Sequence, residues 1–152
     1  MKTLIKLFLL SLWAGVVACG TVSSSSDPTP AGTTKSELIA GKTSKSWELT
    51  TIKIEGVDKS TTSKSCSKDD ILLFTNPNNY ERNEGQTKCK ANDPQVYEKG
   101  TWSISTDQTT LIYSGSTTKY TILELGSSVL RTSYKNKAGE VVEEIYKMQS
   151  SN

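Results

Sequence analysis

The pattern of apolar and polar positions along most of the chain is typical of short β-strands joined by turns. Stretches rich in β-branched and aromatic residues alternate with turn sequences, such as Asn-Pro-Asn-Asn at 76–79 and Asn-Lys-Ala-Gly at 136–139. These residue types stabilise tight turns, and turns at such short intervals favour strands over helices. The pattern predicts eight strands, at residues 46–55, 70–75, 79–84, 96–105, 110–114, 117–125, 128–135 and 140–148.

The predicted strands favour a closed barrel. Most of the connections between them are short, so strands that follow one another in the sequence should pair antiparallel. An eight-stranded meander that closes on itself has no free sheet edges, and its interior either fills with side chains or holds one small ligand. We therefore expect an all-β, eight-stranded up-and-down antiparallel barrel. A two-sheet sandwich has the same periodicity and remains the alternative.

Alternation of side chains along the strands indicates which residues face the barrel interior. The expected inward-facing residues are Leu72, Phe74, Gly100, Trp102, Ile104, Leu111, Tyr113, Tyr120 and Ile122. One short helix is predicted before the first strand, because Thr34 and Glu37 have capping-box spacing and Gly41 can take the left-handed conformation that ends a helix.

The first residues of the chain are typical of a bacterial export signal. Lys2 and Lys6 precede an uncharged, mostly apolar run at 7–18. That run is shorter than the roughly 20 apolar residues of a transmembrane helix, so a cleaved signal peptide is predicted for residues 1–18. The sequence Val-Val-Ala-Cys at 16–19 resembles the lipobox of bacterial lipoproteins, which implies cleavage before Cys19 and acylation of its thiol and new amine, for example with palmitate. An ordinary signal peptide with an incidental cysteine is the alternative.

The chain is therefore expected to have three parts. After the signal peptide, residues 19–36 hold the lipidated Cys19 and a Ser/Thr/Pro-rich tether that cannot bury a core. Residues 37–152 form the barrel domain. The expected location is the bacterial cell envelope, with the lipid bilayer bound through Cys19. The outer membrane is preferred, since Gly20 stands where some Gram-negative lipoproteins retained at the inner membrane have Asp.

The composition excludes several kinds of chemistry. The chain has no His, which excludes Ser-His-Asp and Cys-His catalytic units and His-ligated zinc or haem. It has 18 Lys+Arg and 16 Asp+Glu, and Lys2 and Lys6 lie in the predicted leader. The mature charge is then zero, with no basic field to attract nucleic acid. We expect a noncatalytic protein without a cofactor, a metal or a nucleic-acid partner; an enzyme limited to carboxylate chemistry is the alternative.

Two cysteines remain after the one in the lipobox. Cys66 and Cys89 flank the predicted strands 70–75 and 79–84, so they would meet if those strands form a hairpin. Export places them where disulfides persist, and we predict a structural disulfide between them. A redox-active pair or a metal site is the alternative, although two thiolates without His or a third Cys make a poor metal site.

Several motifs together resemble a known family. They include Cys-Ser-Lys-Asp-Asp-Ile-Leu-Leu-Phe at 66–74, the partner Cys89 and Gly-Thr-Trp at 100–102. Over about residues 36–135 the chain resembles the small lipocalin-like lipoproteins of Bacteroidetes-type bacteria. The resemblance implies a lipocalin-like barrel, envelope anchoring and a cavity for a small apolar molecule. Five residues, 42–46, separate Gly41 from Trp47, which predicts a longer loop before the first strand and makes Trp102 the expected core anchor.

Two functional hypotheses follow. The first is a barrel that binds a small apolar ligand, with Trp102, Tyr113, Tyr120 and Tyr134 as the expected lining residues. The second is a protein-interaction module, such as an inhibitor, plug or accessory subunit of an envelope complex, whose barrel is solid and whose loops 57–65 and 86–95 contact the partner. The volume of the interior separates the two, since a packed barrel leaves no room for a ligand.

The charged residues have structural interpretations beside functional ones. Adjacent side chains on a strand face opposite sides, so Asp69 and Asp70 are expected to form a turn or cap before a strand, with calcium binding as the alternative. For the same reason Glu143 and Glu144 should lie on opposite faces. Arg131 should point to solvent if its neighbours point inward; reversed, it would be buried and could clamp a ligand carboxylate.

Overall fold

The computed structural model describes residues 32–62 and 64–149. The predicted signal peptide, Cys19 and most of the predicted tether lie outside these residues. No helix within the described ranges is long and apolar enough to cross a membrane. The elements are, in chain order, the helix α1 (Lys35–Ala40) and the strands β1 (Ser44–Ile54), β2 (Val57–Asp58), β3 (Ile71–Thr75), β4 (Asn79–Asn83), β5 (Val96–Ile104), β6 (Thr110–Tyr113), β7 (Tyr120–Leu125), β8 (Val129–Lys135) and β9 (Val141–Met148).

Eight of the nine strands in the described residues form a closed antiparallel barrel. Each strand from β3 to β8 pairs with the next in the chain, and β1 pairs with both β3 and β9 to close the ring. The remaining strand, β2, adds two residues to the end of β1. The prediction of an eight-stranded up-and-down barrel with one short helix is confirmed, and the sandwich alternative is excluded.

The first strand begins earlier than predicted. Ser44 pairs with Thr75 and Ser46 with Leu73, and the backbone N–H of Asn76 donates to the carbonyl of Thr43 at 2.8 Å. The expected long loop at 42–46 is therefore wrong, because three of its five residues extend the sheet. The other differences are small: β2 was not predicted, and β7 begins at Tyr120.

Helix α1 covers one end of the barrel. The Thr34–Glu37 capping box is present, and Gly41, at the end of the helix, has φ 65°. Because the helix begins at Lys35, its first residues lie in the segment predicted as tether. Trp47 is fully buried, and its indole N–H donates to the carbonyl of Ile39 at 2.8 Å. Trp47 thus joins the helix to the barrel floor, contrary to what its distance from Gly41 indicated, and Trp102 is a core residue as expected. Both tryptophans are buried.

The two ends of the barrel differ. The closed end carries α1 and the connections at 76–78, 105–109 and 126–128, and Lys45 and Lys35 tie it together by donating to the carbonyls of Ser127 and Gln108. The opposite end, called here the open end, carries the longest connections, 55–70 and 84–95. Every residue predicted to face the interior is buried or partly buried, which follows from the period of two along each strand.

A disulfide between Cys66 and Cys89 joins the two long connections at the open end, as predicted. The bridged cysteines are 23 residues apart in the sequence, which corresponds to about 3 to 3.5 kcal/mol of loop-closure stabilisation. Asp69 adds to the clasp: its Oδ2 accepts the backbone N–H groups of Gln86 and Thr87 at 2.9 and 2.8 Å. Gly85 has φ 61°, and a Cβ there would overlap the carbonyl oxygen of Asp69. The segments 65–70 and 85–89 are therefore held closely together.

Candidate binding site at the open end

The aromatic residues of the barrel interior form a continuous row. Ring centroids are 4.5 Å apart for Tyr80 and Tyr113, 5.1 Å for Tyr113 and Tyr120, and 4.8 Å for Tyr120 and Tyr134. Three of the four predicted ligand residues are thus brought together. Trp102 lies nearer the closed end, where its backbone N–H donates to the carbonyl of Asn78 at 2.7 Å. These rings pack against one another and fill the middle of the barrel.

Arg82 lies among these rings and was not predicted as a site residue. Its guanidinium carbon is 5.4 Å from the ring centre of Tyr113. Its Nη1 donates to the Tyr146 hydroxyl at 3.4 Å, and its Nε lies 3.5 Å from Glu98 Oε2. Burial lowers the pKa of Arg82, but interactions with Tyr146, Tyr113 and Glu144 raise it by more. The guanidinium therefore stays charged inside the barrel.

The positive charge of Arg82 affects the pKa values of all six tyrosines of the chain. Burial raises the pKa of each one, and the positive charge of Arg82 opposes that rise at every one of them. For Tyr80, burial and the hydrogen bond to Glu98 raise the pKa to about 12. The tyrosines are therefore neutral hydrogen-bond donors at physiological pH.

Glu144 is the buried carboxylate of the site. It is 9% exposed, and its two oxygens accept the hydroxyls of Tyr134 at 3.1 Å and Tyr146 at 2.6 Å. Its neighbour Glu143 faces outward, 2.9 Å from Arg131 Nε. Glu143 and Glu144 thus lie on opposite faces of β9, as predicted, and Arg131 is outside the barrel, which excludes the alternative of a buried clamp.

Asp70 supplies a second carboxylate at the rim of the barrel. Its Oδ2 accepts the Tyr97 hydroxyl at 3.1 Å, whereas its Oδ1 is buried without a hydrogen-bond partner among the described residues. Burial raises the pKa of Asp70; the hydrogen bond from Tyr97 lowers it, and the negative charges of Glu84 and Asp69 raise it. No group of three or more metal-ligating side chains occurs in the described ranges.

A pocket of about 190 Å³ lies beside these groups; we call it the inner pocket. Its lining combines apolar side chains with charged ones, including Leu49, Ile52, Leu72, Asp70, Arg82 and Glu144. Tyr97 and Tyr146 also line it. In the described structure none of the four predicted ligand residues does so, because their rings are packed in the layer beneath.

A gap in the barrel wall adjoins the inner pocket. Pairing of β1 with β3 ends at Glu48, and pairing with β2 begins at Lys53. Between them, the backbone N–H of Ile52 donates to the hydroxyl of Ser60 at 3.0 Å instead of to a strand. A second pocket of about 350 Å³, called here the side window, lies at this gap and shares Leu49, Ile52 and Ser67 with the inner pocket. The two volumes adjoin each other.

The alternation rule could have found part of this site. Tyr80 and Arg82 are two residues apart on β4, and Glu144 and Tyr146 are two residues apart on β9, so each pair shares a face. Placing the tyrosine inward therefore places its charged neighbour inward. The side window has no such signal, because it depends on where β3 stops pairing with β1.

The raised tyrosine pKa values predict an unusual alkaline titration. At pH 10.0, the ordinary tyrosine pKa, tyrosinate absorbance of the folded protein should be well below that of the unfolded chain, and it should rise at higher pH or on unfolding. The neutral form is favoured in the folded state, so the free energy of unfolding should fall as pH rises above 10.0. A spectrophotometric titration, repeated in denaturant, measures both. Tyrosines that all ionise near pH 10 in the folded protein would contradict the burial of the tyrosine rings in the barrel.

Comparison with known proteins agrees with this geometry. A family model described as a lipocalin-like domain matches residues 43–132, which is more than half of the chain and spans β1 through most of β8. No curated protein matches the sequence at a significant level. Proteins of the lipocalin-like family are generally non-enzymatic binding proteins. The chain therefore belongs to the lipocalin-like domain family.

Proposed function

We propose that the protein is a noncatalytic, membrane-anchored lipoprotein, similar to those of Bacteroidetes-type bacteria, that binds a small, partly apolar ligand at the open end of its barrel. The observation that supports this most is the inner pocket together with the side window, which shares three of its lining residues. Together they give apolar side chains and a few convergent polar groups in one concave site, the usual composition of a small-molecule site.

The volume of the site limits the size of the ligand. Trp47, Phe74, Leu111 and Leu130 are fully buried and fill the closed half of the barrel. The inner pocket, at about 190 Å³, is smaller than the roughly 300–1,000 Å³ of typical ligand pockets. The side window, at about 350 Å³, falls within that range. A ligand that fits both would place a small polar group in the inner pocket and an apolar part in the window.

The walls of the site are held in place before a ligand binds. Ser67 and Lys68 line the side window directly after Cys66, so the disulfide fixes this border. A site with walls ordered in advance loses less entropy on binding.

The position of the helix sets how the anchored barrel would face the membrane. Helix α1 packs at the closed end, so the chain reaches the barrel from that side. The predicted tether from Cys19 would therefore approach the barrel at the closed end, and the open end would stay accessible to a ligand from the aqueous side.

A protein-interaction module is the second candidate function. The filled closed half of the barrel favours it, as does Val57, which is 55% exposed in a connection predicted to contact a partner. Val141, near the same end, is also exposed. Crosslinking in intact cells followed by affinity purification would give one stoichiometric envelope partner if this candidate is right.

Blocking the junction of the two pockets tests the ligand-binding proposal. Ser67 lines both the inner pocket and the side window, so the indole of Ser67→Trp should occupy space in this part of the site. Native mass spectrometry and thermal shift with a library of small amphiphiles should find compounds that raise the Tm of the unmodified protein. The Kd of each should be at least tenfold weaker for Ser67→Trp, because a filled pocket excludes the ligand.

Ser103→Trp is the matched control, since Ser103 is exposed on the outer face of β5. It should bind each compound as the unmodified protein does. A complete absence of binding compounds would contradict the proposal, as would equal affinity in both tryptophan variants.

Cys19→Ser tests the membrane anchor. In a bacterial host that exports and acylates lipoproteins, the unmodified protein should fractionate with membranes and carry the mass of the acyl chains on a new N-terminal cysteine. The variant should lose both properties, because it lacks the thiol that is acylated. Without acyl chains it has no stable membrane anchor. A mature protein with an unmodified amino terminus in the soluble fraction would contradict this part of the proposal.

A further inference from the structure

The charges around the inner pocket are unbalanced. Asp70, Glu144 and Arg82 line it directly, and Glu98 is paired with Arg82 at 3.5 Å. Three carboxylates therefore surround one guanidinium. The negative charge of Glu84 also acts on Asp70. At the side window, Glu48 and Lys68 balance each other. The excess negative charge is thus concentrated at the inner end of the site.

The two carboxylates that line the inner pocket have incomplete partners. Both hydrogen bonds to Glu144 come from neutral tyrosine hydroxyls, and no Lys or Arg of the described residues forms an ion pair with it. Asp70 has one oxygen bound to Tyr97 and one buried oxygen without a partner. Buried carboxylates usually gain a cationic partner or several donors. The charge of Arg82 acts on both Asp70 and Glu144, but Arg82 is also paired with Glu98. A second positive charge in the pocket would therefore stabilise both carboxylates.

The aromatic lining favours the same kind of group. Tyr97 and Tyr146 line the inner pocket beside the carboxylates, and the faces of tyrosine rings attract cations. An ammonium group carries three N–H donors, and both Asp70 and Glu144 line the pocket that would hold it. The apolar Leu49 and Ile52 continue into the side window, where they would contact an alkyl or aromatic part.

Arg82 gives only weak support for an anionic ligand. An anionic ligand would gain its guanidinium, but Glu98 already pairs with Arg82, and the anion would approach Asp70 and Glu144 at close range. Like charges at that distance repel strongly in a partly buried site. The surroundings of the pocket therefore favour a cation.

We propose that the ligand of this site is a small organic cation, an amine whose ammonium group binds between Asp70 and Glu144 and whose apolar part occupies the side window. This inference rests on the proposed ligand-binding function and names the chemical class of that ligand. The role of Arg82 is to hold the tyrosine hydroxyls and Glu98 in place and to reduce the repulsion among the carboxylates.

Three probes with the same alkyl chain test the charge preference. They are n-octylammonium, n-octanol and octanoate, titrated into the full mature chain by isothermal calorimetry. We expect n-octylammonium to bind at least tenfold more tightly than the other two, with a Kd that weakens as salt is added.

Two substitutions test which carboxylates bind the cation. Asp70→Asn and Glu144→Gln should each weaken n-octylammonium about tenfold or more, the effect of losing one charge-assisted hydrogen bond. Both should leave n-octanol unchanged. Glu143→Gln is the matched control, because Glu143 adjoins Glu144 but faces outward. Circular dichroism and Tm establish whether each variant folds. Asp70 lies at the rim, so Asp70→Asn keeps the test valid even if Glu144→Gln does not fold.

The outcomes separate the two proposals. If none of the three probes binds and the amphiphile library also fails, the ligand-binding function is wrong. If n-octanol binds as well as n-octylammonium and neither substitution matters, the site binds ligands but the amine inference is overturned. Tighter binding of octanoate would overturn it too, and would assign ligand recognition to Arg82.

Discussion

Strand β1 sets the form of both the barrel and its site. It is the strand that pairs with three others, β2, β3 and β9, and its pairing with β9 closes the ring. Because β3 stops at Ile71, the part of β1 between Glu48 and Lys53 has a strand on only one side. A closed barrel removes most sheet edges, but this stretch keeps one. So does β5 between Val96 and Lys99, which pairs with β4 and not with β6. The side window follows from the mismatch in length between β1 and β3.

The interior divides into a part that stabilises the fold and a part that costs stability. At the closed end, apolar side chains fill the interior, and the buried indole N–H of Trp47 has a hydrogen-bond partner, although that of Trp102 has none among the described residues. Toward the open end, Arg82, Glu144 and Asp70 are partly or wholly removed from water. Burial of such charges is at best neutral for stability compared with an apolar core. A buried oxygen without a partner, as on Asp70, adds to that cost. Such costs are frequent at binding sites.

Much of the fold could be predicted from local pattern, and most of the site could not. Turn residues and a period of two placed the strands, and the spacing of Cys66 and Cys89 around one hairpin placed the disulfide. The distance between Gly41 and Trp47 indicates a loop, although Ser44 and Ser46 pair with β3. A charged residue on a short strand is usually exposed, so residue type alone does not indicate that Arg82 is buried. Its partners Tyr146 and Glu98 lie on other strands, and only the register brings them together.

A ligand whose cationic group binds inside the open end of the barrel must contact protons of the residues that line the inner pocket. Intermolecular nuclear Overhauser effects between n-octylammonium and isotope-labelled protein measure these contacts. The methylene next to nitrogen should show effects to the rings of Tyr97 and Tyr146, and the terminal methyl to Leu49 and Ile52. Effects confined to outward-facing side chains such as Leu73 and Ile112, with none to Tyr146, would place the ligand outside the barrel and rule out this site.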